Sequence, residues 1–235
     1  MKADPDFEAY QAKWVAQYEN LNYRQGLSGW VLSQSHQLIE RDFGPDHYFP
    51  TVVEVGAGTG QHLNSLRHRF DRYQMTDLST HFLEQIDIPE QHKARVEIAK
   101  EDATALSYKD DSVDRLIACH VLEHLSDPHQ VLREWVRVLR PGGVLSIVLP
   151  CDPGLLWRLG RTLGPRRNAE AAGIAYDYWM AREHINAISN LTALLNYYFD
   201  RPNARWWPTK LPSVDFNLIY GVNIRIGSDP ALTPA

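Results

Sequence analysis

The segment Val52-Val53-Glu54-Val55-Gly56-Ala57-Gly58-Thr59-Gly60 decides the fold. Its first four residues are apolar except for Glu54, the pattern of a strand buried on both faces. Three glycines at alternate positions follow at once, and the chain beyond them reads as a helix. A tight strand-to-helix turn needs residues without a Cβ, both to take unusual dihedrals and to let a ligand come against the backbone. The spacing separates two kinds of ligand. A dinucleotide fingerprint, G-x-G-x-x-G, requires glycine at position 61, which here is Gln61. A glycine-rich turn with no ligand is the plain alternative for a single loop, and the positions downstream argue against it.

Outward from this loop, residues 51–150 alternate short apolar runs with helical stretches, the pattern of an α/β protein with a parallel sheet covered on both faces. Strands are predicted at 51–55, 73–77, 96–100, 113–120 and 144–149, and helices at 60–70 and 128–139. Pro128 opens the second helix, and Val131, Leu132, Trp135, Val138 and Leu139 form its buried stripe. Pro141-Gly142-Gly143 stops it. Ser79 stands where it would cap a short helix after the second strand. Asp77 ends that strand, where a carboxylate accepts hydrogen bonds from both hydroxyls of a ribose. Asp102-Ala103 follow the third strand, where the carboxylate accepts from an adenine amino group and the Ala103 N–H donates to the ring. Glu54 is a carboxylate inside an apolar strand, costly to bury unless bonded, and the loop amides are its expected partners.

The flanks read differently. Residues 8–43 predict two helices, the second opening near Ser28 and ending before Gly44-Pro45. Residues 151–183 carry Gly, Pro and Arg without a clean period and read as a lid. Ile185, Ile188, Leu191, Leu195 and Tyr198 recur at three- and four-residue steps, predicting a helix over 185–199. Trp206-Trp207 and residues 216–226 are expected to be two closing strands, the second antiparallel to the rest. The whole is one domain: a helical cap (1–45), a core (46–150), the lid (151–183) and a closing helix and strands (184–235).

EVGAGTG at 54–60, Asp77, EDA at 101–103, DRLIACHVLEHLSDP at 114–128 and LRPGGVL at 139–145 occur in order at ordinary separations. Together they resemble the class I S-adenosylmethionine-dependent methyltransferases, especially the broad group acting on small molecules. The resemblance covers about residues 50–150. It implies a Rossmann-like three-layer sandwich whose seven-stranded, mostly parallel sheet has its last strand antiparallel. It also implies S-adenosylmethionine as cofactor, held by Glu54, Gly56, Ala57, Gly58, Gly60, Asp77, Leu78, Asp102, Ala103 and the backbone of Cys119 and His120. In that family an N-terminal segment often closes over the cofactor, which assigns Tyr23 and Arg24 to the methionine carboxylate.

Methyl transfer from a sulfonium is an in-line displacement that mainly needs positioning and exclusion of water. A base is needed only for a hydroxyl or a protonated amine. His120, at the exit of the fourth strand, and His184, at the start of the helix after the lid, are the two candidates. Each has a plain alternative, packing support for His120 and a solvated helix cap for His184. Glu123-His124 raises a metal, because some relatives hold magnesium with such a pair. The further carboxylate of that set would fall at His120, so no metal is expected. Arg158, Arg161, Arg166 and Arg167 occur within 153–168, where there is no acidic residue. An ordinary solvated lid, a patch for a phosphate-bearing substrate and a foot on an anionic membrane compete for this stretch. Arg158 and Arg161, with Arg182 and His184, form the expected substrate set for a small acceptor of anionic character.

Bulk properties set the remaining bounds. The chain has 235 residues, 44% hydrophobic, with net charge −5 and no block of like charges. An acidic chain is a poor general binder of nucleic acid. An RNA methyltransferase is further disfavoured because Cys119-His120-Val121-Leu122 stands where an Asn/Asp-Pro-Pro-aromatic tetrad would be. No run approaches a membrane span, and the first residues lack the apolar stretch of a secretory signal. Two cysteines, Cys119 and Cys151, are too few for a disulfide scaffold or a zinc framework and predict reduced thiols in a cytoplasmic protein. Two rivals stay open: a nicotinamide-dependent oxidoreductase, which Gln61 disfavours, and a non-catalytic module on the same sheet.

Overall fold

A computed structural model describes residues 26–200 and 202–227. Seven strands form one sheet: β1 (Thr51–Val55), β2 (Arg72–Asp77), β3 (Val96–Lys100), β4 (Val113–Cys119), β5 (Leu139–Pro150), β6 (Asn203–Pro208) and β7 (Asn217–Arg225). Their order is β3-β2-β1-β4-β5-β7-β6. Strands β1 to β5 are mutually parallel, and β7 runs antiparallel to both β5 and β6. The chain winds outward one way through β2 and β3 and the other way through β4 and β5. A crevice therefore opens at the carboxyl ends of β1 and β4, where ligands of doubly wound sheets bind.

The period of two along each strand sorts side chains between two cores. Val53, Val55, Leu116 and Ala118 face one layer, built from α3 (Pro128–Val138) and α7 (Ile188–Tyr198). Val52, Ile117 and Cys119 face the other, where Leu38 and Ile39 of α1 (Gly26–Glu40) pack with Tyr73 and Met75. The stripe expected on α3 is real: Val131, Leu132, Trp135 and Val138 are all buried. Leu139 is buried too, as the first residue of β5. Arg115, Glu40 and His62 lie in the second core without solvent contact, an unusual charge load for a sheet-helix layer.

Three local expectations are corrected. The helix predicted over 60–70 is a 3-10 turn, Gln61–Ser65. The chain turns extended at Leu66, and the Arg67 N–H donates to the Glu40 carboxylate, so a tertiary bond replaces the helical one. Ser79 stands at the N-cap of α2 (Thr80–Leu83), but its hydroxyl makes no capping bond. The closing helix α7 begins at Ile188, and Ile185 is 49% exposed. The preceding residues are held elsewhere: the Asn186 side-chain amide donates to the carbonyls of Leu122 and Leu125. The stretch without a period, 151–183, is three short helices, α4 (Leu155–Leu163), α5 (Pro165–Ala171) and α6 (Tyr176–Glu183).

Candidate active site

The glycine loop joins β1 to the 3-10 turn with three left-handed residues, Gly56 (φ 67°), Gly58 (φ 54°) and Gly60 (φ 78°). The first two glycines serve different ends. A Cβ on Gly56 would lie 2.4 Å from Val121 Cγ2, so the position is sealed against the segment after β4. A Cβ on Gly58 would meet nothing within 4 Å and would project into open space at the mouth of the crevice. A loop that bares its backbone toward open space in this way is a cradle for a ligand.

Asp77 forms the second wall. Its Oδ2 accepts the Gly58 N–H at 3.0 Å and its Oδ1 accepts the Ser79 N–H at 2.8 Å. Burial raises the carboxyl above its ordinary value, and these backbone donors pull it back. Each oxygen keeps a further lone pair, so the residue both fastens the loop and presents an acceptor. Leu78 beside it is 62% exposed. Asp102 is exposed, with Oδ1 accepting the Thr104 N–H and hydroxyl at 2.8 and 2.7 Å. The neighbouring Ala103 carbonyl accepts the buried Trp135 indole N–H at 2.9 Å, which anchors this corner to α3.

Glu54 has a different role from the expected one. Its carboxylate accepts the Tyr73 hydroxyl at 2.7 Å inside the sheet, and no loop amide donates to it. Gly58 donates to Asp77 and the Ala57 N–H to the Thr76 carbonyl. Burial accordingly raises the Glu54 carboxyl. Tyr23 and Arg24 lie outside the described residues.

The two candidate bases differ sharply. His120 is held in a left-handed conformation (φ 59°), its Nε2 3.1 Å from the Ser35 hydroxyl and its Nδ1 3.6 Å from Glu123 Oε1. Both of its nitrogens face protein. His184, just past α6, places Nδ1 3.0 Å from Asp152 Oδ2, while its Nε2 has no hydrogen-bond partner among the described residues. Asp152 follows the carboxyl end of β5, and the sequence reading missed it because a lone acid after a strand end carries no spacing signal. His124 packs edge-on against His184 with ring centroids 4.8 Å apart, and the Glu123 carboxylate is buried beside them with no hydrogen bond within the geometric limits among the described residues. Asn186, whose backbone N–H donates to the Glu123 carbonyl, ties the His184 segment to this turn.

The basic stretch is partly neutralised in three dimensions. Arg166 pairs with Glu170 at 2.8 Å and with Asp177 at 2.7 Å, acids beyond the stretch itself. Arg161 lies over the Tyr176 ring, and Arg182 over those of Tyr178 and Trp179. Arg158 is exposed and makes no ion pair among the described residues.

Residues 53–147 match the model of a family described as a methyltransferase domain, spanning the strands and loops that build this crevice. The core is a class I S-adenosylmethionine-dependent methyltransferase domain. S-adenosylmethionine is the cofactor of such a domain, and the bare Gly58 backbone with the paired Asp77 acceptor fits it. The methyltransferase core is similar to 2-methyl-6-phytyl-1,4-hydroquinone methyltransferase 2 of Oryza sativa subsp. japonica, at 36% identity over 104 residues, 43% of this chain and 30% of the rice protein. It is also similar to a methyltransferase of Mycolicibacterium gilvum, at 29% identity over 189 residues, 70% of this chain and 71% of that protein. The chain spans about a third of the length of the rice relatives it matches. A solved SAM-dependent methyltransferase of Thermotoga maritima shares the fold, with a TM-score of 0.61 and 17% identity over 92% of this chain and 98% of that one.

Proposed function

We propose that this chain transfers a methyl group from S-adenosylmethionine to an oxygen or nitrogen of a small metabolite, with His184 as the base that takes the acceptor's proton. The observation that carries this is the Asp152–His184 pair, 3.0 Å apart beyond the carboxyl end of β5. Asp152 fixes Nδ1, which leaves Nε2 to the acceptor, the division of labour of an oriented catalytic imidazole. Bound S-adenosylmethionine supplies the electrophilic methyl. Gly56, Ala57, Gly58, Gly60, Leu78 and the Cys119–His120 backbone would shape its bed, with Asp77 on the ribose and Asp102-Ala103 on the adenine. The His124 ring, packed edge-on, braces His184.

For the acceptor, a compound with an apolar tail is favoured over a plain polar metabolite. Helix α4 exposes Leu155, Leu159 and Leu163, and Leu155, Leu156, Leu159, Leu211 and Phe216 line a groove of about 460 Å3. The rice relative is named for a phytyl-bearing hydroquinone, an acceptor of the same general chemistry. Arg158 and Arg161 on this helix, with Arg182 on α6, would receive a phosphate, carboxylate or sugar head, and the leucine face would allow peripheral contact with a membrane. Two free, buried cysteines favour the cytoplasm as the compartment, and the net charge of −5 disfavours nucleic acid as the acceptor.

Formation of S-adenosylhomocysteine in the presence of phenolic, prenylated and phosphorylated acceptors tests the reading. His184→Ala is expected to lower turnover about 100-fold or more while S-adenosylmethionine still binds. Unchanged turnover would dismiss His184 as the base. Calorimetry showing no heat with either S-adenosylmethionine or S-adenosylhomocysteine would sink the reading altogether.

A further inference from the structure

Three side chains that the methyl-transfer reading does not use converge on the α1 side of the sheet: His36 on α1, His62 on the 3-10 turn after the glycine loop, and Cys119 at the end of β4. All three are buried. His36 Nδ1 lies 3.1 Å from His62 Nδ1, and Cys119 Sγ lies 3.7 Å from the same His62 nitrogen. The three donor atoms are all within 4.8 Å of one another.

These separations have a chemical reading. Zinc bonds of about 2.0–2.1 Å to imidazole nitrogen and about 2.3 Å to thiolate sulfur give tetrahedral edges of about 3.3 Å between nitrogens and about 3.6 Å between nitrogen and sulfur. The observed 3.1 and 3.7 Å lie within about 0.2 Å of those edges, the tolerance of a metal site. A hydrogen-bonded histidine pair alone would explain the first distance and would not require a thiol beside it. The surroundings favour a metal as well. Glu40 Oε1 stands 3.2 Å from His62 Nε2 and is ion-paired with Arg115, so it accepts from that nitrogen. The Nδ1 lone pair is thereby directed at His36 and Cys119, the arrangement in which a carboxylate orients a metal-binding imidazole from behind.

We propose that His36, His62 and Cys119 form a binding site for a zinc-class divalent cation, separate from the methyl-transfer chemistry. Two imidazoles and one thiolate select a borderline-soft ion such as Zn2+ over Mg2+ or Ca2+. The Cys119 thiol loses its proton to solvent as the sulfur–metal bond forms, and water completes the fourth position. The ion would join α1, the turn after the glycine loop and the end of β4, clamping the first described helix onto the cofactor end of the sheet. Two cysteines showed no zinc framework in the sequence because His36 stands 26 residues from His62, and His62 stands 57 residues from Cys119.

The test uses the metal-free full-length chain and cobalt(II) chloride. One equivalent is expected to bind, with a thiolate-to-cobalt charge-transfer band and the visible bands of tetrahedral cobalt, all lost on adding zinc chloride. Cys119→Ala is expected to abolish the charge-transfer band, whereas Cys151→Ala, at the other buried thiol, keeps it. His36→Asn is expected to weaken zinc binding about tenfold or more. A folded wild-type chain without the charge-transfer band overturns the site, as does a band that survives in Cys119→Ala. Should Cys119→Ala not fold, zinc affinity in folded His36→Asn decides, and an unchanged value overturns the proposal.

Discussion

Arg115 on β4 and Glu40 at the end of α1 form an ion pair 2.6 Å apart, with neither side chain reaching solvent. Phe43 lies under the guanidinium, 4.2 Å from its ring centroid, and Ser146 accepts the Arg115 Nε–H at 3.0 Å. Burial alone would raise the Glu40 carboxyl, yet Arg115 and His62 overcome it and hold the group at about 2. The pair fastens a helix whose Ser35 hydroxyl meets His120 just past β4, so its loss acts on fold and site together.

Removing one partner leaves an uncompensated buried charge. Arg115→Met is expected to destabilise the protein by about 3–5 kcal/mol, and the added replacement of Glu40 by Gln to recover part of that loss. Urea unfolding of the single and double variants checks it. Equal stability of wild type and Arg115→Met would show that the pair contributes nothing.

The glycine loop should separate folding from binding. Gly56→Ala forces a Cβ to 2.4 Å from Val121 in a left-handed conformation, so melting temperature and cofactor affinity should both fall. Gly58→Ala meets no protein atom and pays only for its left-handed conformation, about 1 kcal/mol. Its S-adenosylmethionine affinity is expected to fall much further than its stability, as read by calorimetry beside thermal melting.

Asp77→Ala deletes the acceptor and releases the Gly58 N–H together. A loss of about 2 kcal/mol or more in S-adenosylmethionine binding is expected. Asp77→Asn keeps one oxygen acceptor and should fall between the two. Titrations with S-adenosylhomocysteine rank the three proteins, and an unaltered affinity in Asp77→Ala would remove Asp77 from the site.

His68 gives a pH signature. Burial, then the Arg115 charge, lower it from 6.5 to about 4, among Phe43, Phe49 and Phe70. Between those values the unfolded chain binds the proton and the native one does not. Stability is therefore complete above pH 6.5 and falls as the pH drops toward 4, by about 3 kcal/mol for this group. Below that, both states are protonated and the loss levels off. His68→Gln should flatten this part of the profile, so the stability gap between the two proteins narrows from pH 7 to pH 4.5. A constant gap in urea midpoints would exclude His68 as the source.

The sequence by itself determined the sheet, because β1, β4 and β5 are largely apolar on both faces and the glycines had to follow β1. Its five ordered motifs likewise carried the methyl donor. The Pro128 helix was legible for the same reason, since its opening proline and its stripe are local facts, whereas it ends at Val138 and Pro141-Gly142-Gly143 lie within β5. Tertiary structure decided what local pattern could not. Residues 61–65 form a 3-10 turn because His62 and Arg67 bond Glu40 across 22 and 27 residues of chain. Glu54 turned inward to Tyr73, and Asp77 took the loop amide that Glu54 was expected to hold. Asp152 reached His184, and His36, His62 and Cys119 met, only through the packing of distant elements. Strand and helix periods are written in near neighbours, whereas a buried polar group takes whichever partner the fold brings within hydrogen-bonding distance.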